Sequence, residues 1–90
     1  MSPVNARVTL HAAFPRALAE KALADLVRAC AQETAEIQGV PVPEVRLFDD
    51  RLDLEGAMPM PILLAIAAEV RRTTGRWHRA KHGTALWQGE

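Results

Sequence analysis

Between Arg16 and Gln38, the residues Leu23, Val27, Cys30, Thr34 and Ile37 recur at steps of four, three, four and three. That spacing places them on one stripe of an α-helix, and such a stripe folds only against a second apolar surface. Leu18 and Leu26 widen it, while Glu20, Lys21, Asp25, Arg28 and Gln32 lie mostly away from it. Pro15 is tolerated at a first helical position and Gly39 supplies a C-terminal stop, so the spacing predicts a helix over 16–38. The remaining chain must supply what this helix packs on.

Three segments have the strand period of two. In Ala6–Phe14, Val8, Leu10 and Ala12 fall on one side and Arg7, Thr9 and His11 on the other. After the extended entry imposed by Pro41 and Pro43, Val45 and Leu47 alternate with Arg46 and Phe48. Leu52 and Leu54 then alternate with Arg51 and Asp53. Asp49-Asp50 is a turn-type pair between them, so a hairpin is expected, with one continuous bulged strand as its rival. Ile62, Ile66 and Val70, with Leu63 and Ala67 beside them, form a second helical line starting after Pro61. Gly75 is expected to end it, with Arg71 and Arg72 favourably placed near its C-terminus. Thr84–Gln88 is a short extended candidate.

The order β-α-β-β-α-β matches a small two-layer α+β sandwich of the ferredoxin-like plan, an antiparallel sheet with two helices on one face. It occupies 1–90 as one domain, with a core over 6–75 and a basic tail and final strand over 76–90. Val8, Leu10, Val45, Leu47, Leu52 and Leu54 would face the helices. Arg7, Thr9, His11, Arg46, Phe48, Arg51 and Asp53 would face away.

Composition permits such a core. Leu, Ile, Val and Phe number 22 of 90 residues, above the roughly one-fifth below which chains stay disordered. The core is thin at this size, and self-association is a natural supplement. Eleven Lys and Arg balance eleven Asp and Glu, which excludes a uniformly basic nucleic-acid binder or a uniformly acidic mimic but leaves room for a local patch. Cys30 is the single cysteine, so no intrachain disulfide forms. MSPVNARVTL lacks the apolar core of a signal peptide. The longest apolar run, Ile62–Ala68, has seven residues against about 20 needed to cross a bilayer. A cytoplasmic protein without a membrane segment is expected.

The strongest local bias lies in RRTTGRWHRAKH. Arg71, Arg72, Arg76, Arg79 and Lys81 are five of the eleven cations, with no acid among them. Guanidinium groups grip carboxylates and phosphates bidentately, and Trp77 could stack on a ring. These six residues are the candidate partner or anion site. The plainer alternative is a solvated helix end whose charges complement the acidic Asp49–Glu55 stretch. No RNA-binding aromatic motif or zinc-finger spacing supports nucleic acid further.

Other constellations are weaker. His78 and His82 would share a helical face, but the glutamate that follows the first histidine in zinc-protease motifs is replaced by Arg79, and nearby cations repel a dication. No metal and no cofactor is expected. Whether 76–83 is helix or loop decides if the two histidines converge. Cys30 is read as a small buried hydrophobe. Met58 and Met60 would fill the mouth of the core. Trp87 would be a core anchor or an interface residue. If the protein is an enzyme, His11, Asp53 and Arg46 on the open sheet face are the candidate acid–base set for an isomerase or lyase; a cross-strand charge pair is the structural alternative. A catalytic amino-terminal proline would require Pro at position 2, where Ser2 stands before Pro3. The expected function is a small accessory or binding module without catalysis of its own. It would self-associate or dock on an acidic protein or anionic ligand through the basic segment, with sequence-tolerant RNA binding as a further alternative.

Overall fold

The computed structural model describes residues 5–90; Ser2 and Pro3 lie outside them. Five elements follow in order: β1 (Ala6–His11), α1 (Lys21–Gln38), β2 (Glu44–Leu47), β3 (Arg51–Gly56) and α2 (Met60–His82). The three strands form an antiparallel sheet in the order β1-β3-β2. Val8 and Val45 stand opposite Leu54, and Leu10 and Leu47 opposite Leu52. The alternation read from the sequence thus becomes one apolar face. Leu52 and Leu54 are fully buried with Leu23, Val27, Leu63, Ile66 and Val70 from the two helices.

The hairpin is real: the Phe48 amide donates to the Arg51 carbonyl at 3.0 Å, closing a turn around Asp49-Asp50. The backbone carbonyls of that turn are used as anchors. Ala12 and Leu18 donate to the carbonyls of Asp50 and Asp49, each at 2.9 Å, tying both ends of the β1–α1 connection to the turn. On the free side of the sheet, β2 is short. Pro43 precedes it and Arg28 of α1 donates to the Val45 carbonyl at 3.2 Å, features that blunt an edge strand against further pairing. No helix among the described residues is long and apolar enough to cross a membrane.

The first helix differs from expectation in two ways. It begins at Lys21 rather than Arg16, because residues around Pro15 form turns in which Arg16 takes a positive φ of 61°. Its buried side is Leu23, Val27, Ala31, Thr34 and Ala35. Ile37 is 77% exposed and Cys30 only half-buried. The face is turned toward Ala31 and Ala35, both fully buried. The methionines also part company: Met58 is buried and Met60 exposed.

The second helix runs through Gly75 and ends at His82, where Gly83, in the left-handed region, caps it. The expected boundary between core and tail therefore falls inside a helix, and 76–82 is helical. An interior glycine costs about 0.5–1 kcal/mol against alanine. Here it leaves room for Glu90: a Cβ on Gly75 would lie 2.6 Å from Glu90 Oε1.

The final strand is reduced to a single antiparallel bridge between Ala12 and Trp87, so the order is β-α-β-β-α and the six-element plan is not completed. Two bonds join the tail to β1's extension, Ala13 N to Leu86 O at 2.7 Å and Gln88 N to His11 O at 2.9 Å. The Leu86 amide, which a longer ladder would turn toward β1, donates to Glu90 Oε2 instead, as does the Trp87 amide beside it. Gly89 adopts a φ of 81°, turning the chain back on itself.

Trp87 is 1% exposed. Its Nε1 donates to Thr74 Oγ1 at 3.0 Å, and that hydroxyl donates in turn to the Val70 carbonyl. Thr74→Val keeps the shape and removes the acceptor, so urea denaturation should show a loss of about 1–3 kcal/mol for the stranded indole donor. A loss under about 0.5 kcal/mol would mean the indole has another partner. The rotated α1 face has its own test by thermal melting: Ala31→Leu should cost about 1–3 kcal/mol by overpacking, whereas Ile37→Ala should change stability by less than about 0.5 kcal/mol.

Candidate anion-binding groove

Because α2 continues past Gly75, Arg72, Arg76 and Arg79 fall at i, i+4 and i+7 on one face. With Gly75 and Ala80 between them and Glu90 from the tail, they line a groove of about 510 Å³. Gly75 is buried among these, while Ala80 and the three arginines are exposed.

The three arginines are not equivalent. Arg72 makes a two-pronged contact with Glu69, Nε to Oε1 at 3.3 Å and Nη2 to Oε2 at 2.6 Å. The hydrogen bond from Arg72 holds the Glu69 carboxyl below its usual range against the opposing effect of burial, and the charges of Arg72 and Arg76 add to the lowering. Arg79 faces Glu90 Oε1 at 3.7 Å. Arg76 has no ion pair or hydrogen bond among the described residues, and it stands between the other two.

The remaining members of the basic segment are used elsewhere. Arg71 donates to the Gln88 carbonyl at 2.7 Å and holds the tail. Lys81 pairs with Glu20 and lies 4.9 Å from the centre of the Trp77 ring. Trp77 is half-buried against the core and does not line the groove. Three residues of the groove, Gly75, Ala80 and Glu90, were not among the six singled out from the sequence. The only available signal was a glycine inside an otherwise helical pattern.

His78 and His82 do converge, with ring centres 4.7 Å apart. His78 is buried and its Nδ1 meets the Thr84 carbonyl at 2.9 Å. A carbonyl only accepts, so Nδ1 is the protonated nitrogen. His82 Nε2 lies 3.4 Å from Glu20 Oε2. The hydrogen bond from Lys81 leads in lowering the Glu20 pKa, opposed by burial and aided by His82. Among the described residues no three His, Cys, Asp or Glu side chains are grouped to hold a metal ion.

On the open sheet face His11, Asp53 and Arg46 are not gathered into one arrangement. Asp53 is only 3% exposed. It accepts from Thr9 Oγ1 at 2.9 Å and Arg7 Nη2 at 3.0 Å, with Arg51 Nε at 3.6 Å. Arg46 stands opposite Asp53 in register but grips Glu44 at 3.1 and 3.3 Å. His11 is opposite Arg51 and lines two shallow clefts of about 220 and 210 Å³. The carboxylate of Asp53 thus organises arginines across the sheet.

Burial pushes the Asp53 pKa up, but the hydrogen bonds from Thr9 and Arg7 and the charges of Arg51 and Arg7 outweigh it and leave it lowered. A depressed folded-state pKa stabilises above the unfolded value, about 4 for aspartate, and that stability is lost as pH falls through the folded value. Asp53→Asn should therefore melt lower than wild type at neutral pH, and the gap should narrow as pH falls below about 4. Thermal denaturation down to about pH 2 checks this; a constant gap would mean the charge contributes nothing.

No known family model, curated protein or solved structure matches this chain.

Proposed function

We propose that this chain is a non-catalytic binding module that docks on an acidic protein segment through the groove of Arg72, Arg76 and Arg79. The observation that carries the reading is the placement of these three arginines along one groove beside Gly75, with Arg76 between two arginines that already hold carboxylates. Carboxylate is the chemistry these neighbours grip within the molecule, and Arg76 is the cation left to take another. An extended nucleic acid fits less well. It requires a track of phosphate contacts and a stacking platform, whereas the groove is short and Trp77 is engaged by Lys81 and the core. Such a segment could be carried by another protein or by the exposed Asp49-Asp50 turn of a second copy. The sheet supports the module as a ferredoxin-like plan whose fourth strand is cut short beside β1.

A fluorescent hexaglutamate peptide followed by anisotropy tests the reading. Wild type should bind it, and Arg76→Glu should weaken binding by about tenfold, the size of one charge-assisted contact. The thermal melt should change little, because Arg76 makes no hydrogen bond or ion pair among the described residues and acts only as a more distant charge on Glu69. Unchanged affinity overturns the assignment, as does tighter binding to a single-stranded RNA oligonucleotide. Sedimentation of the protein alone separates self-association from a foreign partner.

A further inference from the structure

The occupant nearest the groove's floor is the protein's own Glu90. Its side chain is only 16% exposed. Oε2 accepts from two successive backbone amides, Leu86 at 2.8 Å and Trp87. Oε1 lies toward Arg79 and above Gly75, in space that a Cβ would take. Consecutive amides converging with a guanidinium make an anion-binding concavity. The tail is held there by Arg71 on the Gln88 carbonyl and by the buried Trp87, so the carboxylate is presented at high effective concentration.

We infer that Glu90 is a resident competitor, an intramolecular carboxylate in the seat on Gly75 that an acidic partner's carboxylate displaces when it docks. This rests on the groove being the docking site. It explains why α2 carries a glycine at a buried interior position. It also sets the partner's chemistry: a flexible acidic side chain able to reach the floor beside Arg79, rather than a charge that stays at the rim. A site whose open state is only fractionally populated binds its ligand more weakly by that fraction.

Hexaglutamate binding to wild type, Glu90→Ala, and the double variant Gly75→Ala with Glu90→Ala tests the inference. Removing the competitor should tighten binding about fivefold or more. Adding the methyl at Gly75 should cancel that gain, because its Cβ fills the vacated seat. In wild type, saturating hexaglutamate should shift the side-chain carboxyl carbon resonance of Glu90, because that carboxylate leaves the Leu86 and Trp87 amides. Equal affinity of wild type and Glu90→Ala overturns the competitor while leaving the groove reading in place. A double variant as tight as Glu90→Ala overturns the shared seat. Failure of all three proteins to bind overturns both. Thermal melting establishes that each variant is folded; a double variant that unfolds is replaced by the Glu90 carboxyl resonance, whose constancy on saturation also overturns the proposal.

Discussion

The docking of Trp87 onto Thr74 is the contact from which most of this molecule's arrangement follows. A sheet of three short strands and two helices has little apolar surface to bury, and the largest fully buried side chain comes from the tail. Setting the indole against α2 fixes where the tail crosses β1 and places residues 88–90 alongside the middle of the helix. The Thr74 hydroxyl relays the indole proton's bond to the Val70 carbonyl, so the polar end of Trp87 is satisfied without reaching water. A groove lined by α2 and Glu90 exists only because this anchor holds the tail down.

The same anchor accounts for the missing strand. A fourth strand beside β1 would direct alternate amides into the sheet. Here Leu86 and Trp87 give theirs to Glu90, and the chain turns at Gly89. The tail therefore serves the helix more than the sheet. Glu90 is the link between the two surfaces: it ends pairing on one side and occupies the arginine groove on the other.

What could be read from the sequence is what depends on large apolar residues and local turns. Val45, Leu47, Leu52 and Leu54 showed both hairpin strands and the side that each presents, because the period of two leaves little freedom. Ile62, Ile66 and Val70 likewise marked α2. The stripe on α1 was misplaced because Ile37 and Cys30 weigh heavily in hydropathy, while Ala31 and Ala35 are decided by how closely two helices can approach. Gly75 suggested an end to α2 because its missing side chain is normally a helix stop. The space it leaves is filled by a residue fifteen positions later, and no local pattern carries that information. Of the six basic-segment residues, only Arg72, Arg76 and Arg79 share the groove, a division visible once the helix is known to continue.

Charge placement separates the two polar surfaces. On the open sheet face Asp53 is enclosed by Thr9, Arg7 and Arg51, and Arg46 is held by Glu44. These groups are largely committed to one another, which makes that face a stabilising lattice. On α2 the commitments are partial. Arg72 and Arg79 each retain guanidinium donors beyond their contact with one acid, and Arg76 has its whole donor set free among the described residues. Five donors on a planar group exceed what one carboxylate can accept. The surplus of donors is greatest at Arg76, next to Gly75 in the groove. That stretch of α2 combines unspent hydrogen-bonding capacity with a side-chain-free approach to the backbone that Glu90 fills, a combination the sheet face does not offer.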